Sequence, residues 1–247
     1  MAVHYRTQAV VFKKEDRLDA DRVFSAFTKD FGRVEVFGKA IRKITSKLKS
    51  NIDFFSFSEI EFIQGKNRKT LTDAVSIEKL DGKVHLVEKL EIAYNISNII
   101  DCFIRGQEKD ERIWGLIVDI SRKLNNIHIV HNKELLYYYF LWNFMFVLGY
   151  GPEISNCAVC RQKLNPHSLY FSNKEGGVIC KDCAATKKDG VKITPDVVKV
   201  LRLILEKDWD ILSKLKVGID SSRLLKEVSD NYCNYLLASN SNYQYSP

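Results

Sequence analysis

What the sequence lacks narrows its function first. It has no GxxxxGK[ST] phosphate loop: Gly38-Lys39, Gly65-Lys66 and Gly82-Lys83 each miss both the upstream glycine and the following Ser or Thr. It has no GxGxxG turn, no HExxH pair and no GxSxG elbow. Its five histidines (His4, His85, His128, His131, His167) are scattered, and no carboxylate–cysteine pattern near His128 and His131 completes a ligand set. The paired acids Asp110-Glu111 read as solvated surface. No catalytic constellation emerges, and the chain is expected not to be an enzyme. Long hydrophobic runs are also missing. The longest, Leu135 to Leu148, is interrupted by Asn143 and falls short of the roughly 20 residues a bilayer requires, so no membrane partner is expected. The chain opens without a cationic, apolar leader, which leads us to expect a cytoplasmic protein. No internal repeat is visible.

What is present begins with cysteine. Four of the six cysteines form two CxxC pairs, Cys157-Ala-Val-Cys160 and Cys180-Lys-Asp-Cys183, with nineteen residues between them. Each CxxC turn offers two thiolates from one knuckle, and four thiolates about 2.3 Å from the ion satisfy tetrahedral zinc. The spacing suits a four-cysteine zinc site and favours a reducing compartment. A thioredoxin-like pair or two disulfides is the weaker reading, because a redox motif needs only one CxxC. Four cysteines close the shell, so one structural zinc is expected, stabilising an insert too small for its own core. His167 is read as a loop residue. Cys102 and Cys233 have apolar neighbours and are expected to be buried thiols.

The 247 residues are 45% hydrophobic and 28% charged, with a formal net charge of +7 that is unevenly spread. Residues 1–80 carry sixteen Lys/Arg against eleven Asp/Glu, and Arg33 to Lys49 holds six bases against one acid, Glu35. These six, Arg33, Lys39, Arg42, Lys43, Lys47 and Lys49, are the candidate nucleic-acid-binding residues. A concentrated basic segment neutralises phosphates and releases their counterions, the main source of sequence-independent affinity. The competing reading of a charge run is a solvated face.

The first eighty residues read as β: strands over Thr7–Lys13, Arg22–Thr28, Arg33–Lys39, Phe54–Ile63 and Lys69–Glu78. Lys14 to Asp21 reads as a polar turn, and Asp30-Phe31-Gly32 as a hairpin. Five antiparallel strands in that length fit a small closed or partly closed barrel of OB type. The basic stretch falls on the third strand and the loop after it. From residue 85 the period becomes helical. Leu86, Leu90, Ala93, Tyr94 and Ser97 begin one helix, Ile113 to Leu124 forms a second, and Leu135–Leu148 a third that is apolar nearly all round. Thr194-Pro195 starts another, and Ser221 or Ser222 caps a last one. The Ser239–Pro247 tail is expected to fray. The predicted class is α+β: an OB-type barrel over 1–80, then a helical domain over 81–247 with a zinc insert at 153–190.

This order of parts resembles the RecO family of bacterial recombination mediators. Tyr5-Arg6-Thr7-Gln8-Ala9-Val10-Val11 is similar to the family's opening strand. Ala20-Asp21-Arg22-Val23 with Phe27-Thr28-Lys29-Asp30-Phe31-Gly32-Arg33 resembles its second strand and hairpin. Gly38-Lys39-Ala40-Ile41-Arg42-Lys43 resembles its basic turn, and Leu71-Thr72-Asp73-Ala74 its fifth strand. Leu148-Gly149-Tyr150-Gly151-Pro152 resembles the approach to the zinc. The likeness spans roughly residues 3–205. It implies a non-catalytic mediator of DNA repair and recombination that binds single- and double-stranded DNA and anneals complementary strands. It further implies action with RecR, to help RecA replace single-strand-binding protein (SSB) on DNA. The SSB C-terminal tail is acidic with an apolar end, for which Arg105, Arg112, Arg122 and Lys123 are rim candidates. Phe31 and Phe37 neighbour the basic stretch; Phe31 is read as turn packing, while base stacking and packing stand even for Phe37. Two other classes compete: a zinc-ribbon nucleic-acid-binding factor using Arg161, Lys163, Lys174 and Lys181, and a zinc-stabilised interaction scaffold.

Overall fold

The computed structural model describes residues 3–80, 85–126 and 134–242, with side chains to residue 239. His128 and His131 lie outside these residues, as does the end of the tail. The chain divides into two compact units, 1–128 and 129–247.

The first unit is built on strands β1 (His4–Arg17), β2 (Asp21–Thr28), β3 (Gly32–Gly38), β4 (Phe57–Gln64) and β5 (Lys69–Glu78). They close into a barrel in the order β1-β2-β3-β5-β4, with β3 and β5 parallel and the other pairs antiparallel. Period-two alternation sets the core. On β3, Val34 and Val36 point inward while Arg33, Glu35 and Phe37 do not. Ala9, Val11, Phe24, Ala26, Ile60 and Phe62 complete much of the filling. The hydrophobic run Ala9-Val10-Val11-Phe12 is continuous because β1 is buried on both faces. β1 is also longer than its pattern suggests. It continues through Lys14–Arg17, where the sequence reads as a turn, because a bulge at Phe12 keeps those residues paired with β2.

Helices α1 (Leu86–Phe103) and α2 (Glu111–Asn125) belong to this unit. The inward face of α1 is Ile92, Ala93, Ile96, Ile99 and Ile100, with Lys89 also buried. Leu86 and Tyr94, expected on that face, are exposed, and Tyr94 stacks on Phe54 with ring centroids 4.3 Å apart. Cys102 is exposed rather than buried, because it falls on the outer side of the last turn of α1. Asp110 caps α2, its carboxylate accepting from the N–H groups of Arg112 and Ile113. The α1–α2 connection lies so close to the β2–β3 turn that a Cβ on Gly32 would meet the Glu108 carbonyl oxygen at 2.2 Å; its φ of 60° also suits glycine.

The second unit centres on α3 (Glu134–Val147), buried without a break from Tyr138 through Met145. Strands β6 (Leu169–Ser172), β7 (Gly177–Cys180) and β8 (Val191–Ile193) form a small sheet in the order β7-β6-β8, with α4 (Lys181–Lys187) between β7 and β8. Sequence reasoning misses this sheet, because its strands of four, four and three residues are too short to display a period. Helices α5 (Pro195–Leu205), α6 (Trp209–Leu212) and α7 (Ile219–Asn242) follow. Thr194 caps α5 as its sequence implies. α7 begins at Ile219, so Ser221 and Ser222 sit inside its first turn rather than capping it. Cys233 on this helix is buried, as expected. Trp142 of α3 ties the unit together. Its Nε1 donates to Ser229 Oγ at 3.0 Å, its ring stacks on Tyr232, and Phe171 of β6 packs edge-on to both.

Candidate nucleic-acid interface and metal centre

The segment 39–56, between β3 and β4, has no strand and no helix, yet it is pinned to the barrel. Ile41 and Ile52 are buried in the core and Leu48 packs against it. Backbone hydrogen bonds add to these anchors: Arg42 N–H to the Ala20 carbonyl at 2.9 Å and Phe55 N–H to the Val11 carbonyl at 2.7 Å. The Asp21 carboxylate accepts from Ala40 N–H at 2.6 Å. Apolar anchors therefore alternate with bases that must face water. Lys39, Arg42, Lys43, Lys47 and Lys49 are all exposed. The four lysines carry no ion pair among the described residues; Arg42 lies 3.5 Å from Asp16. Asp16 also accepts from Arg22 at 2.6 Å, and that bond chiefly holds its carboxyl below the ordinary value. Arg22, Arg42 and Lys49 surround a recess of about 240 Å³ floored by Phe24, Ile41 and Ile52. Arg22 is not among the sequence candidates, since it lies outside the dense basic run.

Arg33 separates from this set. Its guanidinium donates to the Asp101 carboxylate at 2.7 Å and to the Asp101 and Ile104 carbonyls, and it lies over the Phe12 ring. Its side chain is 15% exposed, so it is committed to joining β3 with α1 rather than to a phosphate. Burial alone would raise the Asp101 carboxyl; hydrogen bonds from Lys13 and Arg33 outweigh this and hold it below its usual value. Phe31 packs edge-on against the stacked pair Tyr5 and Phe62, with centroids 5.5 and 5.7 Å away, which makes it part of the turn's apolar packing. Phe37 differs. It lines a cavity of about 420 Å³ with the β4–β5 turn, and the Arg68 guanidinium lies 3.8 Å from its ring centroid. The run Lys66-Asn67-Arg68-Lys69 is absent from the sequence candidates, although three bases in four residues are a legible charge signal.

In the second unit, Cys157, Cys160, Cys180 and Cys183 come together with all four Sγ atoms within 4.8 Å of one another. Cys160 and Cys180 lie 3.9 Å apart, close to the roughly 3.8 Å edge of a thiolate tetrahedron around zinc and far beyond a disulfide bond. His167 is not in the cluster. Two turns aim the sulfurs. Arg161, at φ 62°, lets its N–H return to the Cys157 carbonyl, and β7 delivers Cys180 directly into the first turn of α4, which carries Cys183. Burial pushes the Cys157 thiol up, but backbone N–H groups of Cys160, Cys180 and Val159 bring it down to about 6. The Cys180 sulfur and then burial push Cys183 up to about 12. Four sulfurs gathered this closely form a donor set that suits a soft tetrahedral metal. Of the bases around this centre, Arg161 is drawn 3.4 Å from Glu153. Of the rim candidates on α2, Arg112 pairs with Asp110 and Lys123 with Asp119.

A closed five-stranded barrel with an OB strand order and a basic loop, together with a helical unit holding a four-cysteine centre, defines a class of two-part barrel-and-knuckle proteins. Comparison with known families sharpens this. Residues 1–80 match the model described as Recombination protein O N terminal, and residues 87–242 match Recombination protein O C terminal. A DNA repair protein RecO from Dehalococcoides mccartyi is 32% identical over 214 residues, covering 87% of this chain and 83% of the relative. Proteins of the same description from Desulforamulus reducens and Caldanaerobacter subterraneus are 24% and 25% identical, covering 94% and 86% of this chain and 90% and 84% of their own. The chain belongs to the RecO family of DNA repair proteins. No helix among the described residues is long and apolar enough to cross a membrane.

Proposed function

We propose that this chain is a non-enzymatic recombination mediator that binds DNA through the barrel's basic loop. The observation that carries the reading is the alternation in segment 39–56: Ile41, Leu48 and Ile52 hold it to the core, so Lys39, Arg42, Lys43, Lys47 and Lys49 are presented on a fixed surface. Arg42 and Lys49, joined by Arg22, offer a recess where a phosphate replaces the Asp16 carboxylate as partner. A fixed array of cations screens the repulsion between two backbones, which is the physical requirement for pairing complementary strands without a nucleotide fuel. On this reading the chain binds single- and double-stranded DNA, anneals complementary strands, and with RecR helps RecA displace SSB. The cysteine centre holds one zinc ion that fixes the knuckle and the β6–β8 sheet, and takes no part in chemistry on DNA.

The test is annealing of SSB-coated complementary strands, followed by fluorescence without nucleotide. Acceleration is expected with the metal-loaded protein, and RecR should bind it in a pull-down from purified components. Folded protein that leaves the annealing rate unchanged contradicts the mediator reading.

A further inference from the structure

The cavity beside Phe37 lies outside the basic loop and has a different chemistry. Its walls come from β3, the β4–β5 turn and the α1–α2 connection. Its volume of about 420 Å³ falls in the range of small-ligand pockets, roughly 300–1,000 Å³. One wall is the half-buried ring of Phe37, and the exposed Arg68 guanidinium stands over that ring, 3.8 Å from its centroid, so that the pair presents the outer face of the guanidinium as a platform. Three amides, Gln64, Asn67 and Gln107, also line it. Lys66 and Lys69 stand at its rim turn, with Lys69 Nζ 3.4 Å from Gln107 Oε1, and Glu35 is the one acid among the described lining residues. A planar guanidinium backed by an aromatic ring, with amides that both donate and accept, suits the face and edge of a nucleobase. A carboxylate-rich peptide has no flat π-face to lay on the guanidinium, and its carboxylates offer acceptors only.

We propose that this cavity takes one unstacked nucleotide of single-stranded DNA, its base on the exposed face of the Arg68 guanidinium, which Phe37 backs, and its phosphate against Lys66 and Lys69. This rests on the DNA-binding reading above and deepens it: the basic loop serves any phosphate backbone, whereas the cavity selects single strands. A paired base cannot enter, because its edge and faces are already occupied in the duplex.

The experiment measures affinity of the full metal-loaded chain for one labelled oligonucleotide, single-stranded and as a duplex, at one fixed salt concentration. Phe37→Leu keeps apolar bulk and loses the ring; it should weaken single-strand binding roughly tenfold or more and leave the duplex unchanged. Phe37→Trp should restore single-strand affinity. If Phe37→Leu lowers the melting temperature, Arg68→Gln on the exposed turn gives the same test, with a larger loss for single strands than for duplex. Equal losses on both forms, or none, overturn the proposal; so does loss of binding to an acidic peptide with single-strand affinity intact. Wild-type protein that binds neither form contradicts the DNA reading itself, whereas wild-type binding that Phe37→Leu and Arg68→Gln leave untouched contradicts only this inference.

Discussion

Two segments of this protein carry bases on turns, and they are held in opposite ways. Segment 39–56 of the barrel is fixed from below by Ile41, Leu48 and Ile52, which reach a core built mainly by the strands. The knuckle at 157–183 gathers a small apolar cluster around Cys157, Ile179 and Ala184, and its two cysteine turns converge on four sulfurs. The first solution leaves its bases facing outward. The second turns Arg161 onto a local acid, Glu153. A segment anchored by side chains can be tuned one residue at a time, while a metal-held one stands or falls as a unit.

The sharpest way to break the comparison is to withhold the zinc proposed for the four-cysteine centre. Structural zinc sites contribute about 10 kcal/mol or more to folding of the segment that holds them. Chelation should therefore abolish the melting transition of the second unit while the barrel retains its β circular dichroism. Simultaneous loss of both would show that the units fold together.

The barrel's anchors come next. Ile52→Ala removes a side chain that is 2% exposed and should cost about 2–5 kcal/mol in denaturant unfolding. It should also weaken DNA binding, because the bases it positions would spread over many conformations. An unfolding midpoint equal to wild type would mean the loop is not held by its apolar residues.

Arg33 sharpens the distinction between a base that binds and a base that braces. Arg33→Ala strips Asp101 of a charged partner and should destabilise the protein by about 1.5–3 kcal/mol, with little change in DNA affinity. The pH dependence follows from the depressed Asp101 carboxyl. The folded state holds this proton less readily than the unfolded one, so the stabilisation is present above the ordinary carboxylate value near 4. It is lost as pH falls through the lower folded value. The stability gap between wild type and Asp101→Asn should accordingly be widest at neutral pH and narrow in acid.

Much of this was legible in the chain. Strand periods of two, the Thr194-Pro195 cap and the spacing of the four cysteines each report a local rule, and local rules survive folding. The long-range partners within the barrel unit were not legible. Arg33 looks like its neighbours Lys39 and Arg42 because charge is visible in a sequence, whereas the acceptor that claims it, Asp101, lies 68 residues away. Tyr94 faces out and Lys89 is buried for a related reason: which face of α1 is covered depends on what packs against it, not on its own period alone. The small sheet β6–β8 escapes notice because three or four residues carry too little pattern.

The central claim is that phosphate affinity resides in the barrel loop and not in the metal knuckle. The salt dependence of DNA binding tests it most directly, compared among wild type, Arg42→Glu/Lys43→Glu and Arg161→Glu/Lys163→Glu. The slope of log affinity against log salt should fall in magnitude by about 2 in the barrel variant, roughly one unit per lost phosphate contact, and stay at the wild-type value in the knuckle variant. A wild-type slope in the barrel variant, with the loss appearing in the knuckle variant instead, would contradict the account.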